Sequence, residues 1–333
     1  MNYQRPKITV IGTGNVGATC AQYCAMRELG DVVLLNTTSR RDPPKGKALD
    51  MAESAPVFGF NVKVTNATDY EETADSSVVV VAAGMPRKPG MSRDDLLAAN
   101  AEIVGNIAKN VKATSPDAVI IVVTNPVDAM VQRVFDAADF PKERVVGQAG
   151  VLDCARFRAF VAMELNVSPL DVHAMILGGH GDSMAPVVSC ASVAGVPVDQ
   201  LIPTERLGQI VARTRLGGGE IVDLLGTGSA YYAPAASTAK MVKSIVRDEN
   251  RLLACVAYCD QEYDVGGYCI GVPVVLGAGG VKKIVQMSTT QAERTLFEKS
   301  LEAVKANVAK LRELTKPTED ETKETEPSAP TVS

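Results

Sequence analysis

A single imidazole stands between glycines in Leu177-Gly178-Gly179-His180-Gly181-Asp182-Ser183-Met184, in a chain that holds only two histidines. Glycines on both sides permit a tight turn and let a ligand approach the ring. An imidazole presented in this way suits proton transfer near neutral pH. Taken alone, an inert surface-loop histidine explains the stretch better, so the chemistry depends on what accompanies His180. Asp153 and Arg156 are three residues apart in 151–165, a stretch read as helix, and so project from one face. By themselves they are an intrahelical ion pair worth at most about a few tenths of a kcal/mol. Arg87 and Arg93 lie in Gly84-Met-Pro-Arg87-Lys-Pro-Gly-Met-Ser-Arg93, just past a predicted central strand. That is the side on which open α/β sheets bind ligands. The Pro and Gly content predicts a loop able to close over a ligand and exclude water; a solvated basic loop is the plainer account.

Elements that position such groups are legible upstream. Lys7-Ile-Thr-Val-Ile-Gly12 reads as a buried strand that runs into Gly12-Thr13-Gly14-Asn15-Val16-Gly17 and then a helix to about Leu29. In that strand–turn–helix setting Gly12 permits the turn, Gly14 lets a pyrophosphate approach the backbone, and Gly17 allows close helix–strand packing. Asn15 and Val16 belong to the same turn, where the helix N-terminus faces the phosphates. A second strand, Asp31-Val-Val-Leu-Leu-Asn36, ends where such units usually place an acid for the ribose hydroxyls. Here the residue is Asn36, followed by Thr37-Thr38-Ser39-Arg40-Arg41-Asp42-Pro43-Pro44. An aspartate repels a 2′-phosphate, whereas Asn36 removes the repulsion and Ser39 and Arg40 offer donors. NADP(H) is therefore one expectation. NAD(H), with Asn36 bonding the ribose and the arginines solvated, is the equal alternative.

The β-branched runs Ser77–Ala83 and Asp117–Thr124 have no polar face, as expected of strands buried on both sides. With strand and helix repeating about every 30 residues, residues 1–150 read as a doubly wound, Rossmann-type parallel sheet. Residues 151–314 read as an α+β substrate domain. It comprises a helix over 151–165, a strand over 171–178 and helices over 203–226 and 231–247, the first with a break or bend at Gly217-Gly218-Gly219. Two strands, Leu252 to Cys259 and Ile270 to Leu276, follow. A last helix carries an apolar stripe of Phe297, Leu301, Val304, Val308 and Leu311. From Thr315 to Ser333 the composition is acidic, polar and proline-containing, which predicts disorder. The 333 residues, 46% hydrophobic, suffice for two packed cores. No apolar run reaches membrane-spanning length and the start shows no signal region, so a cytoplasmic location is expected. A net charge of −5 argues against a nucleic-acid partner. Seven cysteines without a CxxC pair predict reduced, mostly buried thiols and no metal site.

Taken together, the Gly12–Gly17 fingerprint, Arg87-Lys-Pro-Gly-Met-Ser-Arg93, Asn125-Pro126, Asp153-x-x-Arg156, Gly179-His180-Gly181-Asp182 and Gly228-Ser-Ala-Tyr-Tyr-Ala-Pro resemble the lactate/malate dehydrogenase superfamily in order and spacing. The resemblance runs from about Lys7 to Leu314 and is strongest to the malate dehydrogenases of lactate-dehydrogenase-like type. The segment after Asn36 departs from the pattern. The resemblance implies that His180 takes the hydroxyl proton of malate, oriented by Asp153, with Arg156 clamping the carboxylate and Arg93 polarising the carbonyl of oxaloacetate. It further implies that Asn125 touches substrate and nicotinamide, that Asn100 and Val123 lie on the cofactor side, and that the protein serves the tricarboxylic acid cycle as a homodimer or homotetramer. Arg87 stands where lactate dehydrogenases typically carry Gln, and a cation there suits a second carboxylate. Two other readings remain open: a lactate or other 2-hydroxy-acid dehydrogenase, and a dinucleotide-binding redox sensor without chemistry.

Overall fold

The computed structural model describes residues 5–36, 43–85 and 92–316. Ser39, Arg40, Arg87 and the tail from residue 317 onward, for which the sequence carries expectations, lie outside the described residues.

The runs without a polar face become strands whose two faces are both covered. They are β1 (Lys7–Ile11), β2 (Asp31–Leu35), β4 (Val78–Val81), β5 (Val119–Val122) and β6 (Val145–Gly147), while the short edge strand β3 (Val64–Asn66) leaves Thr65 exposed. All pair in parallel, in the order β3-β2-β1-β4-β5-β6. The intervening helices are α1 (Asn15–Met26), α2 (Pro43–Phe58), α3 (Arg93–Thr114) and α4 (Val127–Ala137). Along β4 the side chains alternate between two cores: Val78 and Val80 pack with Cys20 and Cys24 of α1, Val79 and Val81 with Val104 of α3 and Val131 of α4. This is the doubly wound arrangement expected from the sequence. Its strand order reverses between β1 and β4, the point where such sheets bind ligands.

After β6 the chain runs through α5 (Gly150–Leu165), β7 (Val172–Leu177), β8 (Ala185–Val193), β9 (Val196–Pro197), α6 (Val198–Leu201), α7 (Thr204–Leu225) and α8 (Tyr232–Val246). It closes with β10 (Arg251–Cys259), β11 (Tyr268–Gly277), β12 (Gly280–Ile284) and α9 (Gln291–Leu314). β7, β8 and β9 form a small antiparallel sheet. β10, β11 and β12 instead extend the parallel sheet in antiparallel fashion, joined at Val256↔Gly147. Gly147 makes that junction possible, because a Cβ there would lie 2.8 Å from Val256 Cβ. The two sheets meet at a bridge between Gly178 and Gly271.

The stripe on α9 is buried throughout, from Phe297 to Leu311, and the helix starts in a capping box made by Thr290 and Glu293. Each such side chain contributes roughly 1.5–3 kcal/mol on burial. No break occurs at the three glycines: α7 runs as helix through Gly217, Gly218 and Gly219. Packing overrides their poor helix propensity, since this helix face must come close to Arg156 of α5. Among the cysteines, all free, only Cys190 is exposed. No helix among the described residues is long and apolar enough to cross a membrane.

Candidate active site

The turn between β1 and α1 is built as its glycines require. Gly12 has φ +95°, and a Cβ there would lie 2.3 Å from Ala83 N beyond β4. A Cβ on Gly17 would lie 1.9 Å from Gly12 O. Gly14 faces open space and caps α1 without any side-chain bond, so the exposed Asn15 and the half-buried Val16 begin a helix whose first N–H groups are available to a ligand. Asn36 completes this corner. Its Oδ1 accepts from Thr13 N at 2.8 Å and from Thr13 Oγ1 at 3.1 Å. A backbone N–H only donates, which fixes the amide orientation and turns the Nδ2 donors away from Thr13. Lys47 of α2 donates to Thr13 O nearby. Beside Asn36 opens a cavity of about 590 Å³ lined by Leu35, Asp69, Tyr70, Met85, Glu102 and Ile103 among others. An uncapped helix N-terminus, an open Gly14 and an adjoining cavity fit a dinucleotide.

Past β4 and β5, Asn100 of α3 clamps two chain segments together. Its Oδ1 accepts from Met85 N at 2.7 Å, and its Nδ2 donates to Asn125 O at 2.8 Å. Asn125 is exposed and precedes a cis peptide bond to Pro126, while Val123 is half-buried and bonds to Val81 O. Arg93 is not in the loop expected for it: it is the exposed first residue of α3, inside the Ser92–Asp95 capping box.

Three elements pin the backbone around His180. Gly178 exchanges hydrogen bonds with Gly271 of β11, Gly179 N donates to Ser300 Oγ of α9 at 2.8 Å, and His180 N donates to Asp128 Oδ2 of α4 at 3.0 Å. The ring is held separately, with Nδ1 2.9 Å from Asp153 Oδ2 in the first turn of α5. Arg156 Nη1 lies 3.4 Å from Asp153 Oδ1, so one carboxylate joins imidazole and guanidinium. Asp153 is buried, and its side chain is reached through these two partners. Nδ1 being engaged, Nε2 is the ring nitrogen that remains for a ligand. Arg156 packs flat on α7: a Cβ on Gly217 would lie 3.2 Å from its Cδ, and one on Gly218 3.6 Å from Nη2. Its Nε is buried with no hydrogen-bond partner among the described residues.

Electrostatics set these groups apart from their surroundings. Burial opposes charge on His180, but the Asp153 carboxylate, through its charge and hydrogen bond, outweighs it and raises the imidazole above its ordinary pKa; Asp128 adds to the rise. Burial lowers the pKa of Arg156 against the pull of Asp153. Burial also pushes Asp128 up to about 6, in spite of the bond it accepts from His180 N–H.

The structure thus brings His180, Asp153 and Arg156 together, Asn100 with Asn125, and the glycine turn with Asn36. Sequence reasoning missed Asp128, Ser300 and the glycines of α7. Asp128 was visible only as the cap-like end of Asn125-Pro126-Val127-Asp128. Gly271 inside a strand was a further available signal, because interior glycines mark close backbone approach.

Comparisons with known proteins agree with this geometry. Residues 6–147 match the lactate/malate dehydrogenase NAD binding domain and residues 150–315 the lactate/malate dehydrogenase alpha/beta C-terminal domain. The chain is 60% identical over 306 residues to the malate dehydrogenase of Rhodopirellula baltica, covering 92% of this chain and 97% of that one. It is 53% identical to the malate dehydrogenase of a Geobacillus species, over 94% of this chain and 100% of the other. Among solved structures it resembles the apo malate dehydrogenase of Picrophilus torridus, with a TM-score of 0.90, 44% identity and coverage of 93% and 98%. It also resembles the Cryptosporidium parvum lactate dehydrogenase complexed with lactic acid and nicotinamide adenine dinucleotide, with a TM-score of 0.90, 38% identity and coverage of 95% and 100%. With both domains matched end to end on a fold of the same design, the chain belongs to the lactate/malate dehydrogenase family.

Proposed function

We propose that the protein catalyses the reversible oxidation of (S)-malate to oxaloacetate with a nicotinamide dinucleotide. The observation that carries this reading is the single buried carboxylate of Asp153, 2.9 Å from the ring of His180 and 3.4 Å from Arg156. That shared anchor supports reading His180 as the proton acceptor and Arg156 as the carboxylate clamp. Asp153 holds the Nδ1–H tautomer, so that Nε2 accepts the hydroxyl proton of malate, and it stabilises the imidazolium that results. Arg156 binds the carboxylate next to the reacting carbon by a forked pair of hydrogen bonds. Arg93, at the start of α3, polarises the carbonyl in the reverse direction, and Asn125 orients the substrate. The bound nicotinamide supplies and accepts the hydride. A sensor of redox state needs neither base nor clamp.

Arg87 selects the dicarboxylate, since its charge would pair with the second carboxylate of oxaloacetate and meet only a methyl group in pyruvate, a mismatch that costs on the order of several kcal/mol. Arg87→Gln is expected to move activity from oxaloacetate toward pyruvate. Undiminished preference for oxaloacetate in that variant would refute the assignment. For the cofactor we favour NADP(H), because Thr13 occupies Asn36 Oδ1 and leaves donors, with Lys47 nearby, where an aspartate would present a negative charge. Apolar side chains exposed on α2 (Leu49, Val57, Phe58) and α7 (Leu216, Leu224, Leu225) support a homo-oligomer, a dimer or a dimer of dimers.

The test is to mix the protein with oxaloacetate or pyruvate and each reduced cofactor and to follow the nicotinamide absorbance. Turnover of oxaloacetate well above pyruvate is expected, with the higher kcat/KM for NADPH. A strong preference for NADH overturns the cofactor assignment, and no turnover with either cofactor favours the sensor.

A further inference from the structure

Only half of the Asp128 carboxylate is engaged. Oδ2 accepts from His180 N at 3.0 Å, while Oδ1 is buried with no donor among the described residues. One turn along α4, Gln132 Oε1 is likewise buried without a donor. The amide of Gln132 cannot be turned to relieve this, since its Nε2 donates to Asp136 Oδ1 at 3.2 Å and a carboxylate only accepts. Asp136 in turn pairs with Arg312 Nε of α9 at 3.4 Å. Residues four apart on a helix are neighbours. Asp128 and Gln132 therefore present two orphaned acceptors to one buried face, an arrangement that is costly as it stands. One hydrogen between them relieves both.

We propose that Asp128 is a positioning residue that holds the His180 backbone through a carboxyl whose proton is shared with Gln132. Gain and loss of that proton tunes the pH range over which His180 works. With the proton in place an unbroken row of hydrogen bonds runs from His180 N–H through Asp128, Gln132 and Asp136 to Arg312. Burial of Asp128, which pushes its pKa up to about 6, acts in the same direction.

The groups that face Asp128 are few. His180 approaches from the loop after β7, Asp153 from α5 and the thiol of Cys269 from β11; burial pushes that thiol well above its ordinary range. On α9, the uncharged Ser300 serves Gly179, and Arg312 is taken up by Asp136. Among the described residues His180 is the cation that bears on Asp128; Asp128 and Asp153 both raise His180, and the charge of Arg156 on α5 opposes them. When Asp128 is protonated, Asp153 is the carboxylate that still raises the imidazole, against burial and the charge of Arg156. When Asp128 ionises, a second negative charge makes His180 more basic. The two titrations are coupled, and each proton gained makes the other easier to lose. The competing arrangement is a buried water that donates to both orphans and leaves Asp128 ionised.

The inference rests on His180 being the proton acceptor, but its first test needs no turnover. In full-length protein carrying ¹³C at the aspartate γ-carbons, one resonance is expected to titrate near pH 6 and to vanish in Asp128→Asn. If every aspartate titrates below about pH 5, the water-bridged carboxylate is correct and the proposal is overturned. That measurement on the unsubstituted protein decides the matter even if the variant fails to fold. The second test is the pH profile of oxaloacetate reduction. Asparagine imitates the protonated acid, with Nδ2 toward Gln132 and Oδ1 toward His180 N, so Asp128→Asn should lose less kcat than Asp128→Ala. It should also move the alkaline limb of kcat/KM to lower pH by about half a unit or more. An unmoved limb refutes the tuning role. Absence of turnover in the unsubstituted protein, with the aspartate still titrating near pH 6, would instead count against the function proposed above.

Discussion

In the proposed mechanism proton transfer and substrate binding converge on Asp153, and its charge matters there as much as its shape. Because the His180 pKa is raised above its ordinary value, the imidazolium persists into the alkaline side of that value. Oxaloacetate reduction, which consumes the imidazolium proton, should therefore hold up as pH rises past about 6.5 and decline only through the raised pKa. Malate oxidation, which needs neutral His180, should rise over the same range. Asp153→Asn keeps the size and an acceptor for Nδ1–H but removes the charge. It is expected to lower kcat/KM by on the order of 10²–10⁴ and to shift both limbs to lower pH. Steady-state rates in both directions across pH check this, and limbs that stay in place would mean that another group sets the titration. The same shift affects folding. The stability from charged His180 beside Asp153 is fully present below the unfolded pKa of about 6.5 and is lost as pH rises through the folded value.

At the scale of elements, α7 shows how packing can override local preference. Three successive glycines predict an interruption, yet α7 is continuous, because Gly217 and Gly218 face the side chain of Arg156. Gly217→Ala should raise helix propensity by about 1 kcal/mol while its methyl, 3.2 Å from Arg156 Cδ, displaces the clamp. The expected outcome is an unchanged or higher melting temperature together with a KM for oxaloacetate raised several-fold. Thermal unfolding and steady-state kinetics on one preparation separate the two effects, and an unaltered KM would show that Arg156 does not depend on this surface. The episode also marks what a linear pattern can show. The two-sided burial of β4 and β5 and the stripe on α9 follow from side-chain period alone, and so were legible. The continuity of α7 depends on a partner from a distant element, and so was not. Nor did periodicity show that β10 and β11 would join the parallel sheet, since pairing partners are chosen by close approach at Gly147. In the site, chemistry-bearing side chains such as His180, Asp153 and Arg156 could be picked out by type and spacing. Ser300, more than a hundred residues from the backbone it holds, could not.

For the molecule as a whole, the important feature is that the His180 segment is anchored on the larger sheet. Gly178 and Gly271 exchange main-chain hydrogen bonds of 2.9 and 3.2 Å, which tie the end of β7 to β11. Neither partner tolerates a side chain there. Gly178 has φ +86°, and a Cβ on Gly271 would lie 2.3 Å from Gly178 O. Gly271→Ala must therefore push the two sheets apart, at a cost of roughly 1–3 kcal/mol for the overpacking and about 1 kcal/mol for each hydrogen bond lost. Because Gly178 lies only two residues before His180, the displacement should carry the imidazole away from Asp153. A variant of this kind is expected to melt at lower temperature and to lose kcat by more than tenfold, while its affinity for the dinucleotide, which the proposed function rests on the Gly12–Gly17 turn after β1, changes little. Cofactor titration by nicotinamide fluorescence alongside turnover distinguishes this from general unfolding. Equal losses of cofactor binding and turnover would mean that the bridge supports the whole fold and does not specifically place His180.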